Sequence, residues 1–230
     1  MRFLACFMES RGSQSWGCTN GYDVYKTVGA ITTNFKFPAW AVDGEPFLLH
    51  TRAASMGSVC AANSHPFTAM RPGRDPKDVH SYVVGVHNGV IHQHEEFNKK
   101  YNRNFQVDSQ HIFQHIAEDR DTSEFTGYGA LLWFDTPDLN DDRYLYLCKF
   151  NMQDIHVYQL ETGECIFAST KTAVEKTLQM LEISGAKEII TTSEMLYKFI
   201  VNKENKWTIE NTQKPMKFGF RGARNAVTCV

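Results

Sequence analysis

Several residues in the first half of the chain have the side chains needed to hold a free amino acid. The guanidinium of Arg52 can bind an α-carboxylate through two hydrogen bonds and stays charged. The carboxylate of Asp108 suits an α-ammonium group. Asn88 offers a side-chain amide, and Gly89 beside it offers an unobstructed backbone N–H group. Two such donors can stabilise the oxyanion that forms when a side-chain amide is hydrolysed.

These residues lie in short motifs that follow one another along the chain. The motifs are RG-x-x-S-x-G at 11–17, HTRAASMG at 50–57, NSHPF at 63–67, HNGVI at 87–91 and VDSQ at 107–110. As an ordered set they resemble the glutaminase domain of the class II, or N-terminal-nucleophile, glutamine amidotransferases. That family includes glucosamine-6-phosphate synthase, asparagine synthetase and phosphoribosyl-pyrophosphate amidotransferase. The resemblance covers roughly residues 1–170, which makes it far more specific than any single motif.

The resemblance implies a ligand, a reaction and a set of site residues. The ligand is L-glutamine, which is hydrolysed to glutamate and ammonia, and the ammonia passes to a separate synthase subunit. No cofactor and no metal are implied. The implied glutamine-binding residues are Arg52, Ser55, His65 and Asp108, and the implied oxyanion hole is formed by Asn88 and Gly89.

The resemblance also implies a nucleophile that the printed residues do not supply. Members of the family attack the amide with an N-terminal cysteine, whose own α-amino group is the base. A strand and a helix separate that cysteine from the RG motif. Arg11 stands only ten residues after Met1, too few for a strand of ~5 residues and a helix of ~10. Cys6 is therefore too close to Arg11 to be the nucleophile, and Cys18 lies beyond the motif.

Two interpretations of the missing cysteine stay open. In the first, a Met-Cys-Gly start lies upstream of Met1 and the protein is an active glutaminase. In the second, the chain is a pseudoenzyme that acts as a glutamine-binding or protein-interaction module. A third class, hydrolysis of a different amide, fits less well because Arg52 and Asp108 suit a free amino acid. In the first two interpretations, residues 1–230 lack the first strand of the family fold.

Composition and charge indicate an ordinary folded chain. Apolar residues make up 42% and charged residues 22% of the sequence, which is typical of a globular protein. The net charge of −2 argues against a nucleic-acid partner held by bulk electrostatics. No apolar run approaches the ~20 residues that a membrane span needs. The six cysteines are scattered and form no CxxC pair, so we expect a reduced, cytoplasmic protein with one domain over residues 1–230.

Hydrophobic spacing predicts the elements that must position these residues. Strands are predicted at 22–34, 45–53, 82–91, 127–134, 143–150, 154–160, 164–169, 187–192 and 206–210. Helices are predicted at 2–10, 92–101 and 170–183, and one more begins after an N-cap at Asp108. Clustered strands with helices between them indicate antiparallel sheets with the helices outside. The resemblance refines this α+β expectation to a four-layer α/β/β/α sandwich, the N-terminal-nucleophile hydrolase fold.

One further pattern concerns histidines. His111 and His115 lie four residues apart on the predicted helix, a spacing that can bind a metal. No third ligand is evident in the sequence. We therefore expect both residues to be helix-surface or core histidines.

Overall fold

The computed structural model describes residues 2–33, 36–41, 46–135, 143–151, 153–201, 207–216 and 218. These residues form a mixed α+β fold with antiparallel sheets. The α-helices are α1 (Arg2–Met8), α2 (His94–Lys100), α3 (Ser109–Ala117) and α4 (Lys171–Met180). The strands are β1 (Ser15–Thr19), β2 (Val24–Val28), β3 (Leu48–Arg52), β4 (Phe67–Met70), β5 (Tyr82–Ile91), β6 (Gly127–Asp135), β7 (Arg143–Phe150), β8 (His156–Gln159), β9 (Cys165–Ala168), β10 (Lys187–Ile189), β11 (Met195–Val201) and β12 (Trp207–Pro215).

The largest sheet has six strands in the order β12-β11-β7-β6-β5-β4. β5 pairs with β6 along nearly its whole length, from Val83 opposite Asp135 to Ile91 opposite Gly127. Helices α2 and α3 cover one face of this sheet. Phe97 of α2 joins the core on that face, and the strands contribute apolar side chains to the same cluster.

Two three-stranded sheets lie over the other face, in the orders β2-β1-β3 and β10-β8-β9. Leu48 of β3 and Val157 of β8 share an apolar core with Leu132 and Leu145 of the six-stranded sheet. Helices α1 and α4 contact each other and pack against β8 and β9, where Leu4 joins another apolar cluster. No helix among the described residues is both long and apolar enough to cross a membrane.

Hydrophobic spacing did not predict every strand that the structure contains. β5 has the predicted bounds, whereas β4 and β11 were not predicted. β1 was not predicted either, and it begins inside the RG-x-x-S-x-G motif. All five of its residues are buried, because β2 and β3 pair with it on both sides. Pairing on both sides therefore buries the polar residues Ser15 and Thr19 together with Trp16 and Cys18, which belong to an apolar core.

Candidate functional site

The polar residues identified from the sequence line one cavity of about 470 Å³. That volume falls within the ~300–1,000 Å³ typical of small-molecule sites. Strand β3, the loop after it, strand β5 and the start of α3 all meet there. The predicted site residues that line it are Arg52, Ser55, His65, Asn88, Gly89 and Asp108.

Arg52 is the last residue of β3, and only 4% of it is exposed. Its guanidinium donates to the carbonyl oxygen of Ser58 at 3.4 Å and to that of Met56. A guanidinium has five N–H donors, so others remain for a ligand. Burial lowers the pKa of Arg52, and the attraction of Cys60 and Asp108 opposes that shift. Arg52 is therefore not a surface arginine.

Asp108 directly precedes α3, but its side chain makes no capping hydrogen bond. Oδ2 instead accepts from the backbone N–H of Ile91 at 2.6 Å, and Oδ1 accepts from Ser109 Oγ at 3.5 Å. Ser109 Oγ also lies 2.9 Å from Nδ1 of His87. Asp108 is the N-cap residue by position, as predicted, but its carboxylate links the start of α3 to the end of β5 and does not cap the helix.

Asn88 and Gly89 lie within β5, which continues through them without a turn. They face Ala130 and Gly129 across the ladder, so this Asn-Gly pair does not form a hairpin turn. The side-chain nitrogen of Asn88 is buried and has no hydrogen-bond partner among the described residues. A Cβ at Gly89 would lie 2.0 Å from the carbonyl oxygen of Tyr128. Only glycine fits there, and an unused amide donor stands beside it at the cavity.

His65 is 5% exposed, and neither ring nitrogen has a hydrogen-bond partner within the described residues. Its ring lies between His50 and Phe67, at centroid distances of 4.2 and 4.6 Å. Burial lowers the pKa of His65 well below its usual value and that of His50 to about 3. Both imidazoles are therefore neutral at pH 7. Ser55 is exposed along the cavity wall.

The structure brings further residues to the site that had no assigned role. His50 lines the cavity at the start of one motif, and Ser109 connects His87 to Asp108. Their positions next to motif residues were the signal in the sequence. The cavity also extends along an apolar wall that includes Leu132 and Phe167. No sequence pattern indicated that extension.

The cysteines that the structure describes do not supply an activated thiol in the cavity. Cys165 lines the cavity, but burial raises its pKa to about 12, and the same holds for buried Cys18 and Cys148. Burial also raises the pKa of Cys6. Hydrogen bonding, first of all from Ser58, lowers the pKa of Cys60, which is not among the cavity-lining residues. Cys229 lies outside the described residues.

His111 and His115 do not belong to this cavity. Both are fully buried, and Nδ1 of His115 lies 2.8 Å from the carbonyl oxygen of His111. Their rings pack among aromatic side chains such as Phe97. Within the described part of the chain, no group of three or more His, Cys, Asp and Glu side chains is arranged to hold a metal ion.

Comparisons of the sequence with protein-family profiles and with curated proteins find no match. A functional assignment for the chain therefore depends on the geometry of this cavity. The most informative feature is that a buried cation, a buried carboxylate and an unpaired amide donor line the same space.

Proposed function

We propose that the cavity binds free L-glutamine and that the chain is a glutaminase-type domain of the class II glutamine amidotransferases. The observation that carries the proposal is the meeting of Arg52, Asp108, Asn88 and Gly89 at one cavity. These residues come from three separate elements. Their meeting is the arrangement that the ordered sequence motifs require.

The charged ends of the amino acid have complementary partners. The free N–H donors of Arg52 bind the α-carboxylate, and Asp108 accepts from the α-ammonium group. His50 and His65 do not repel that ammonium, because burial keeps both imidazoles neutral. The site thus presents one positive and one negative side chain to a ligand that has both charges.

The side-chain amide of glutamine lies against Asn88 and Gly89 in this arrangement. Attack on the amide carbon moves negative charge onto its oxygen, and a preorganised donor there is worth ~3–4 kcal/mol of barrier. Nδ2 of Asn88 has no other partner within the described residues, so its donor is available for that oxygen. In the family, an N-terminal cysteine supplies the attacking thiolate and its amine base; the described cysteines of this chain present no activated thiol in the cavity.

The four-layer α/β/β/α sandwich of the N-terminal-nucleophile hydrolases is part of the same proposal. The apolar core between the three-stranded sheets and the six-stranded sheet supports it. So do the separate clusters beneath α1 and α4 and beneath α2 and α3. Each cluster fills the space between two layers, as a stack of helices and sheets requires.

Calorimetric titration with L-glutamine tests the binding site. We expect the wild type to bind and Arg52→Ala to lose about 100-fold or more in affinity, since hydrogen bonds to charged groups contribute ~1.5–3 kcal/mol each. Arg71→Ala is the matched control. Arg71 is a partly buried arginine, with 14% of its side chain exposed, that pairs with Asp135 at 2.6 Å and does not line the cavity. Equal glutamine affinity in wild type and Arg52→Ala would contradict the proposal.

Ammonia release separates the enzyme from the binding module. If glutamine binds and ammonia forms, the domain is a glutaminase, and a separate synthase subunit is the expected acceptor of that ammonia. If glutamine binds without turnover, the pseudoenzyme is the better description. Gating by the synthase partner is expected in the first case, because ungated hydrolysis would waste glutamine. Full turnover by the full-length protein alone would contradict such gating.

A further inference from the structure

Asn63, the first residue of the NSHPF motif, is buried behind the cavity wall. Only 4% of it is exposed, and it is not among the residues that line the cavity. Its Nδ2 donates to Oε1 of Gln106 at 2.8 Å and also lies 3.1 Å from the carbonyl oxygen and 3.0 Å from Oγ of Ser58. The amide nitrogen of Asn63 therefore connects two segments, one after Arg52 and one before Asp108.

The first of these segments is the turn at 56–58, which holds the side chain of Arg52. The carbonyl oxygen of Ser58 accepts from Nη1 of Arg52 at 3.4 Å, and that of Met56 accepts from Nη2. Because a carbonyl oxygen can only accept, the contact with Ser58 also fixes which way the Asn63 amide points. Asn63 and the guanidinium thus share one acceptor, and a shift of the turn moves the guanidinium.

The second segment leads into α3, where Asp108 stands. The backbone N–H groups of Gln106 and Val107 donate to Oε1 of Gln110, within α3, at 3.2 and 3.1 Å. The segment is therefore tied to the same helix start that carries the Asp108 carboxylate. A shift of Gln106 is transmitted to Asp108 through this connection.

The two segments are in close contact as well as hydrogen-bonded. A Cβ at Gly57 would lie 3.2 Å from Nδ2 of Asn63 and 3.2 Å from Cγ2 of Val107. Interiors packed at this density transmit displacements. The spacing of the two segments therefore depends on the side chain that lies between them.

We propose that Asn63 is a positioning residue that sets the separation between the Arg52 guanidinium and the Asp108 carboxylate, and that this separation makes the site selective for α-amino acids. The carboxylate and ammonium groups of an α-amino acid are attached to one carbon atom, so covalent geometry fixes their spacing. When the two protein groups match that spacing, the second contact forms as an intramolecular step and adds affinity. The inference rests on the proposed function, because it concerns the same cavity.

Ligands that lack one charged end distinguish this role from general support of the loop. Glutaramate is glutamine without the α-ammonium group, and 4-aminobutanamide is glutamine without the α-carboxylate. Each of them uses one of the two protein groups, so neither depends on the separation between them. Loss of a residue that only supports the fold would weaken all three ligands by the same factor.

Saturation-transfer NMR titrations of the full chain measure the three dissociation constants, including weak ones. The test variant is Asn63→Leu, which has a similar volume and no amide. Its Kd for L-glutamine should rise about tenfold or more, since the advantage of two simultaneous contacts is lost when their spacing is wrong. Its Kd values for glutaramate and 4-aminobutanamide should equal those of the wild type.

Asn98→Leu is the matched control. Asn98 is a half-buried asparagine that does not line the cavity and that bonds the backbone of Phe105 on both sides, at 3.0 Å each. It loses side-chain hydrogen bonds as Asn63→Leu does, but these do not reach the turn at 56–58. All three ligands should bind it as they bind the wild type.

Gln106→Ala gives a second measurement if Asn63→Leu does not fold. Gln106 is exposed, so its truncation is tolerated, and it removes the 2.8 Å bond from Asn63. Its Kd for glutamine should rise about threefold or more, again with no change for the two single-ended ligands.

The outcomes separate this inference from the proposed function. A wild type that does not bind glutamine overturns both. A wild type that binds glutamine, with an unchanged Kd in Asn63→Leu and Gln106→Ala, overturns the role of Asn63 alone. So does an equal loss for all three ligands, which indicates general support of the loop. Weaker binding of one single-ended ligand also overturns it, because Asn63 would then act on one charged residue and not on the spacing of the two.

Discussion

Replacement of His65 by phenylalanine should change how the free energy of unfolding depends on pH. Burial lowers the pKa of His65 well below its usual value in the folded chain, whereas an unfolded histidine has a pKa of about 6.5. Below that pH the unfolded chain binds a proton at this position that the folded chain does not. The stabilisation from a neutral His65 is therefore complete above pH 6.5 and is lost as the pH falls.

The size of the expected change in the free energy of unfolding follows from the one proton that the unfolded chain takes up at this position. Each histidine that is protonated only in the unfolded state lowers the free energy of unfolding by about 1.4 kcal/mol per pH unit. The His65→Phe variant lacks this term, and phenylalanine can pack between His50 and Phe67 because those contacts are ring contacts. Relative to wild type, it should gain about 2–3 kcal/mol between pH 6 and pH 4. For a protein with about 5–15 kcal/mol of stability, that gain is large.

Urea unfolding at a series of pH values, followed by tryptophan fluorescence, measures the effect. Phe67→Leu is the control, since it disturbs the same ring contacts without removing a titratable group, and its pH slope should match that of the wild type. His50→Asn should behave like His65→Phe within its own window, between pH 6.5 and the folded pKa of about 3. Parallel curves for wild type and His65→Phe would refute the reasoning.

Three other perturbations have defined outcomes. Gly89→Ala should lower the free energy of unfolding by ~1–3 kcal/mol or more, because its Cβ would lie 2.0 Å from the carbonyl oxygen of Tyr128; a thermal melt unchanged from wild type would contradict this. Alkylation by iodoacetamide near pH 7, followed by mass spectrometry, should modify Cys60 before the other described cysteines, because its lowered pKa favours the thiolate; simultaneous labelling would contradict it. Asp108→Asn keeps an acceptor for the N–H of Ile91 but removes a charge, so the Kd for glutamine should rise about ten- to hundredfold; an unchanged Kd in calorimetry would remove Asp108 from ammonium binding.

Local patterns were enough to predict β5, whereas the meeting of the site residues was implied by the resemblance to the family. β5 is rich in valine and isoleucine, and its register with β6 places Asn88 and Gly89 at the cavity. Arg52 and Asp108 lie far apart in the sequence, and no local pattern brings them together. Their position at one site was implied by the resemblance of the ordered motifs to the family.

Other features depend on tertiary contacts that spacing does not encode. The partner of the Asp108 carboxylate is the backbone of Ile91, which no side-chain pattern reveals. β11 is a short apolar run, and such a run does not distinguish a strand from a buried helix. The apolar wall of the cavity, which includes Leu132 and Phe167, comes from segments that are distant in the sequence.

The Arg52 guanidinium donates hydrogen bonds to the carbonyl oxygens of Met56 and Ser58, and these bonds have a consequence for ligand affinity. A free arginine side chain has ≈ 2 kcal/mol of rotamer entropy to lose on binding, but this one is already preorganised. The turn that fixes it includes Gly57, whose φ of +74° few other residues adopt and where a Cβ would lie 2.8 Å from the carbonyl oxygen of Gln106. In the proposed site, the conformation of this turn therefore affects the affinity for the α-carboxylate, although Gly57 itself is not among the residues that line the cavity.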